Sequence, residues 1–265
     1  VPLNDIAQLS LYGNVRVSSA VMAEMMDRGV PVLHFSHGGW YRGYTSGLSH
    51  KNVELRIAQF KAAMDDQRAL AVAKAMISGK IRNCRTLLRR NDKGVPKEVL
   101  ERLAGLVRSA EIADSIPSLL GIEGIAAQLY FGRFNEMLKA QGGFSIDGRN
   151  KRPPSDPVNA VLSYIYGILT KDMFVTLHSV GFDPFLGFYH RPKYGKPALA
   201  LDLMEEFRPI IADSTALTLF NNGELRPNDF VEVGFGVSMK KEAKRAVIKG
   251  YERRMGTEIV HPLFD

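Results

Sequence analysis

The feature that most restricts the fold of this chain is a change of hydrophobic period near residue 50 that is hardly reversed afterwards. Before it, apolar residues alternate by two in short runs, the period of a half-buried strand. After it they recur by three and four, the period of a helix with one buried face. Residues 6–12 (IAQLSLY) alternate and Gly13-Asn14 supplies a turn. Ser18 or Ser19 can cap a helix through Met26, with Val21, Met22, Met25 and Met26 at helical spacing and Gly29 ending it. Residues 30–36 (VPVLHFS) form a second strand, Gly38-Gly39 a turn, and residues 40–44 a third strand. Three short strands and one helix make a poor sheet on their own, and the chain starts without methionine, so further strands are expected upstream.

From Lys51 onward the helical period predicts one long or two stacked helices over residues 53–77, then helices over 81–90, 96–109, 118–141, 157–180, 199–212 and 239–254. Turn-rich loops fall at 142–154, 181–197 and 221–229. The expected architecture is α+β and mainly α: the C-terminal part of a small N-terminal β domain over residues 1–48, then a large all-α domain over residues 49–265.

Composition enters where it excludes. With 265 residues, 45% hydrophobic and 24% charged, the chain has the make-up of a folded globular protein. A single cysteine, Cys84, rules out an internal disulfide framework and any four-cysteine zinc or iron–sulfur site built from this chain alone. A reducing cytoplasm is the expected compartment. The apolar stretch 115–132 carries Glu123 at its middle, which predicts a buried helix and not a membrane span; no transmembrane or signal segment is visible. The net charge of +7 is concentrated: residues 51–110 hold 14 Lys/Arg against 6 Asp/Glu, while the regions on either side are close to neutral. A clustered positive field suits a polyanion, although basic helical faces are also commonly just solvated.

Three segments hold residues able to do chemistry. In residues 121–127 (GIEGIAA), Glu123 stands alone in an apolar helix, where a carboxylate needs a cation or a pairing partner. In residues 181–194 (GFDPFLGFYHRPKY), His190 sits among aromatics. In residues 201–209 (LDLMEEFRP), Asp202 and Glu205 are three apart and share a helical face, with Glu206 and Arg208 extending its polar side. Each has an ordinary structural explanation by itself. Together, a glutamate, a histidine and a carboxylate pair beside a basic region suggest Mg²⁺- or Mn²⁺-assisted phosphodiester chemistry. Glycine-rich phosphate loops and Gly-x-Ser-x-Gly are absent. His34, His37 and His50 are metal-capable residues in or near the small β domain but lack carboxylate or cysteine neighbours, and His178 at a helix end and His261 near the terminus are most simply structural or exposed.

At these segments the chain resembles the CRISPR-associated integrase/endonuclease of spacer acquisition, the first-numbered Cas protein family. The resemblance is carried by GIEGIAAQLYFGRFNEML, RNKRPPSDPVNAVLSYIYGIL and GFDPFLGFYHRPKYGKPALALDLMEEFRPIIAD. The N-terminal SLYGNVRVSS and RGVPVLHFS also look like the end of that family's β domain. The resemblance implies that Glu123, His190 and Glu205 bind one Mg²⁺ or Mn²⁺ and are catalytic, with Asp202 a supporting acid. Some members have two aspartates where this chain has Asp202 and Glu205. Pro153-Pro154, Asp156 and Asn159 would be structural, with Asp156 capping a helix that starts at Pro157. The implied activity is insertion of new spacer DNA into the CRISPR array by transesterification. The implied partners are double-stranded DNA (prespacer and CRISPR repeat), a second copy in a homodimer, and the small ferredoxin-like second adaptation protein, with a fused or associated iron–sulfur nuclease in some members; no membrane is involved. Arg82, Arg85, Lys244 and Arg245, on basic helices, are candidate DNA contacts. Two other readings of the residues are a non-catalytic basic DNA-binding scaffold and a helical adaptor.

Overall fold

The computed structural model describes residues 6–37, 41–48, 51–139, 143–150 and 153–258. The expected Gly38-Gly39 turn, Trp40, His50 and His261 lie outside these residues. The chain opens with β1 (Leu9–Tyr12), α1 (Ser19–Asp27), β2 (Val32–Phe35) and β3 (Tyr41–Thr45). β1 pairs parallel with β2, and β2 pairs antiparallel with β3. A parallel pair needs a crossover, and α1, capped by the Ser18 side chain, supplies it. Strand alternation then divides the core of this small sheet. Val30 and Val32 pack with Met25 of α1, whereas Leu33 and Phe35 pack with Phe174 and Val175 of a later helix.

The helical region begins with α2 (Val53–Met64) and α3 (Asp66–Asn91). They are separated at Asp65, whose carboxylate accepts from the Gln67 and Arg68 amides and so caps α3. The expected helix over 81–90 is the last part of α3, which passes unbroken through Gly79. A Cβ there would lie 2.7 Å from the Glu206 carboxylate, so a larger residue would have to push that side chain aside. α4 (Lys97–Glu111), α5 (Ile116–Phe131), α6 (Phe134–Met137), α7 (Pro157–Val180) and α8 (Ala198–Phe207) follow. Residues 208–213 form a widened π turn that runs into α9 (Ser214–Asn221). Pro209 offers no amide hydrogen to continue the α ladder, a local reason for the widening.

A hairpin of β4 (Phe230–Val233) and β5 (Gly236–Met239) precedes α10 (Lys241–Met255). This hairpin and α9 are additions to the helices read from the sequence. The alternating FVEV and GVSM flank Gly234, but each strand is only four residues long. The main core joins Ile77, Ile81 and Leu88 of α3, Leu103 of α4, Leu119 and Tyr130 of α5, Leu162 and Ile165 of α7, and Leu217 of α9. α7, capped by Asp156 as expected, is the one helix among the described residues long and apolar enough to cross a bilayer by length and composition. It differs from the stretch the sequence singles out, and its apolar side chains are largely the protein's own core: Val158, Val161, Leu162, Ile165 and Leu169 are all buried.

Candidate active site

α5, α8 and the loop between α7 and α8 converge on the inner face of α3. On α3, Ile77, Lys80, Ile81 and Cys84 fall on one stripe, so Lys80 is carried into the interior, where it is 7% exposed. Its ammonium bonds Glu123 Oε1 of α5 and, at 2.6 Å, Glu205 Oε2 of α8. Burial disfavours the charged lysine, but the two carboxylates outweigh that and hold its pKa above the ordinary value. Glu205 is clamped from its other side by Arg208, one turn on, whose guanidinium nitrogen lies 2.9 Å from both carboxylate oxygens. Burial pushes the Glu205 carboxyl up, yet Arg208 and Lys80 together, with a smaller pull from His190, bring it down to about 2.

Arg208 is itself fixed. Its guanidinium lies over the Tyr166 ring at 4.2 Å. The Tyr166 hydroxyl donates to Asp213 at 2.5 Å, and the Tyr130 hydroxyl donates to the same carboxylate at 2.9 Å. The widened turn 208–213 therefore places the arginine at its start and the aspartate at its end around one tyrosine. Burial of Asp213 raises its pKa, even though both hydroxyls and Arg208 favour its ionised form.

The histidine arm is organised by Asp202, which is fully buried. Its carboxylate accepts from the backbone amides of Phe188 (2.6 Å), Tyr189 (2.9 Å) and His190 (2.8 Å), and lies 2.7 Å from His190 Nδ1. A Cβ on Gly187 would come within 2.7 Å of this carboxylate, so the loop needs glycine to wrap so closely. Asp202 thus fixes both the loop and the imidazole, leaving Nε2 as the free ring nitrogen. Tyr189 links the two arms: its hydroxyl donates to Glu123 Oε2 at 3.4 Å. The loop is also tied to α2, where buried Gln59 bonds the Asp183 amide and the Asp183 and Leu186 carbonyls.

Glu123 and Glu205, 82 residues apart in sequence, are therefore brought together near the middle of α3, with Asp202 on α8 and His190 on the loop before it. Glu123 and Glu205 meet directly at Lys80, and His190 stands with Asp202. Among the described residues, no three His, Cys, Asp or Glu side chains are grouped tightly enough to hold an ion as they stand. The donor set nevertheless suits a hard divalent cation. Two carboxylates already share one positive charge, and a carboxylate-oriented imidazole lies beside them.

A cavity of about 570 Å³ opens next to this pair, lined by Lys80, Glu123, Gln128, Asn135, Arg149 and Arg208. Asp147 lines it too, so three cations, Lys80, Arg149 and Arg208, stand there against two carboxylates, a small positive excess toward a phosphodiester. A second cavity, of about 460 Å³, is lined by residues 187–192, including His190, and by the start of α5. The candidate DNA contacts divide. Arg82 and Arg245 are exposed, Arg82 pairing with Glu111; Lys244 is half-buried; and Arg85 turns inward to donate to the Leu100 carbonyl at 3.0 Å. Cys84 is buried, and its thiol is pushed up to about 12 by burial, so it is no nucleophile. Lys80, Arg149 and Tyr189 were not singled out from the sequence. Lys80 had a signal: a lysine three residues after Ile77 and four before Cys84 interrupts an apolar stripe.

Fold and site together define a mainly helical protein in which a buried glutamate and a part-exposed one share a lysine beside a cavity with arginine in its wall. The chain belongs to the CRISPR associated protein Cas1 family, whose model matches residues 1–253. It is 45% identical, over 99% of its length, to a CRISPR-associated exonuclease Cas4/endonuclease Cas1 fusion of Geobacter sulfurreducens, of which it covers 49%. The chain spans about half the length of such fused relatives. Its fold superposes with a TM-score of 0.82 on the Cas1 protein TM1797 of Thermotoga maritima, 23% identical, covering 96% of this chain and 81% of that one. A chain of a Cas6-RT-Cas1–Cas2 complex is 27% identical with a TM-score of 0.78, covering 97% of this chain and 29% of the other.

Proposed function

We propose that this chain is the catalytic part of a CRISPR adaptation integrase/endonuclease, inserting spacer DNA into the array by divalent-metal-dependent transesterification at phosphodiester bonds. The observation that carries the proposal is the convergence of buried Glu205 and part-exposed Glu123 on one shared cation, Lys80, beside a cavity that Arg149 and Arg208 also line. A buried carboxylate such as Glu205 drawn to a second acid is costly, and a scaffold that only bound DNA through surface lysines and arginines would have no use for it.

Glu123, Glu205 and the free Nε2 of His190 would hold Mg²⁺ or Mn²⁺, which supplies Lewis-acid neutralisation of phosphate charge and activation of the attacking oxygen. The chain's own side chains do the rest. Arg208 keeps Glu205 ionised and pointed at its partner, and Asp202 fixes the imidazole ring and its tautomer. Arg149 and Arg208 present positive charge to the phosphodiester in the cavity between them. A 3′-hydroxyl as nucleophile gives strand joining, and water gives cleavage.

The proposed partners are double-stranded DNA (prespacer and repeat), a second copy of the chain, a Cas2 protein like that in the matching complex, and a fused or associated Cas4 exonuclease as in the Geobacter sulfurreducens relative. The proposed compartment is the cytoplasm. The test is incubation of the full-length protein and its small partner with a 3′-hydroxyl duplex and a supercoiled repeat-bearing plasmid, with and without Mn²⁺. Joined products should form only with the metal and vanish for Glu123→Ala, whose DNA affinity by gel shift stays near wild type. Continued joining by Glu123→Ala would refute the mechanism.

A further inference from the structure

The position between Glu123 and Glu205 is filled by a side chain of the protein itself. Two carboxylates are there balanced by two cations, Lys80 and Arg208, so the cluster is formally neutral before any ion arrives. A divalent ion added to it would leave a buried excess of two positive charges, which the low-dielectric interior opposes. Binding is therefore easiest if one resident cation leaves, and the two are not held alike. Arg208 reaches both Glu205 oxygens at 2.9 Å through one guanidinium nitrogen, and its planar head is held over the Tyr166 ring, in a turn anchored by Asp213. Lys80 holds Glu123 and Glu205 through a single nitrogen on a flexible stem, and it also lines the 570 Å³ cavity.

We propose that Lys80 is a built-in placeholder cation: its ammonium joins Glu123 to Glu205 when no metal is bound, and gives way to the divalent ion by swinging into the adjoining cavity. There it would join Arg149 and Arg208 in facing the phosphodiester. This rests on the metal reading above and adds to it a residue that is no ligand but sets how tightly the ligands hold their ion. Without Lys80 the carboxylates would repel in the metal-free state, and the ion would bind without having to displace anything.

The test is a Mn²⁺ titration of the full-length protein, read by the electron paramagnetic resonance signal of free Mn²⁺, for wild type, Lys80→Met, Lys80→Gln and Glu123→Gln. Removing the competing ammonium should tighten Mn²⁺ binding at least about tenfold in both Lys80 variants, and enlarge the rise in melting temperature that Mn²⁺ produces. Glu123→Gln should lose the site. Folded Lys80 variants that bind Mn²⁺ no tighter than wild type would overturn the proposal. A second measurement needs no variant: labelling of Lys80 by an amine-reactive reagent, quantified by mass spectrometry, should rise several-fold when Mn²⁺ is added. Unchanged labelling at saturating Mn²⁺ would equally overturn it. If neither wild type nor the Lys80 variants bind Mn²⁺, the metal reading itself falls. Binding by wild type without tightening in the variants would sink only the placeholder.

Discussion

Replacing Arg208 by methionine would show how the acidic pair is kept in the interior. Methionine retains most of the aliphatic bulk and removes the two bonds to Glu205 and the cation over Tyr166. Glu205 is 6% exposed, and Arg208 and Lys80 hold its carboxyl well below the ordinary 4.5, down to about 2. That depression corresponds to roughly 3 kcal/mol of stabilisation of the folded state by the ionised form, at about 1.36 kcal/mol per unit. Lys80 supplies part of it, so the loss from Arg208→Met is set at about 2–3 kcal/mol near neutral pH, within the range for breaking a buried ion pair from one side.

The sign of the pH dependence follows from the direction of the shift. A carboxyl whose folded pKa lies below its unfolded one contributes stability that is complete above the unfolded value, and that is lost as pH falls from about 4.5 through the folded value near 2. Urea denaturation at pH 7 should therefore show the full penalty of Arg208→Met, and the gap from wild type should narrow as pH falls below 4.5. In the background of Glu205→Gln, which has no charge to lose, Arg208→Met should cost at least about 1 kcal/mol less. An equal penalty at pH 7 and pH 3, undiminished in the Glu205→Gln background, would refute the electrostatic reasoning and leave Arg208 as a packing residue on Tyr166.

Two further outcomes follow from the geometry. Asp202→Asn preserves shape but cannot accept from three amides and a ring nitrogen at once, so joining activity should fall about 10- to 100-fold while gel-shift affinity for duplex DNA stays near wild type; full activity would deny Asp202 its positioning role. Arg245→Ala, at an exposed site, should reduce the salt dependence of DNA binding by roughly one phosphate contact, whereas Arg85→Ala should instead lower stability to urea, because Arg85 bonds the Leu100 carbonyl. A flattened salt slope for Arg85 with unchanged stability would reverse that division.

How much of the fold could be read beforehand depended on whether its signals were local. α1 and α7 begin where their caps stand, at Ser18 and Asp156, because an N-cap works through residues two or three positions away. β2 was legible because residues 30–36 are a short apolar, β-branched run bounded by Gly29 and the Gly38-Gly39 pair. The continuity of α3 was not, since a Ser-Gly pair normally breaks a helical pattern, and what Gly79 faces is a carboxylate 127 residues further along the chain. α9 and the β4–β5 hairpin were missed for a related reason: both are short elements after a proline-widened turn, and their order comes from packing and from the Val237 amide bonding the Pro154 carbonyl.

The candidate site divides in the same way, and the division explains what kind of residue escapes a reading by sequence. Glu123, His190, Asp202 and Glu205 stand out because each is an ionisable group in an apolar or aromatic setting, and because their segments resemble known ones. The residues that make those four tolerable stand out far less, since their types are common on surfaces and the one local signal, Lys80 in an apolar stripe, does not name its partners. Lys80 belongs to a stretch rich in lysine and arginine, and nothing within four residues of it says that its ammonium will bond Glu123 and Glu205. Arg208 was visible only as an extension of a polar face, yet its role depends on Tyr166 and Asp213, which arrive from α7 and the far end of the widened turn. A buried charge announces that it needs a partner, and only the tertiary fold says which one. In this protein the partner of both acids is a lysine from the most basic part of the chain, so the +8 excess of residues 51–110 does not all face outward: part of it is already spent neutralising the site it was expected merely to flank.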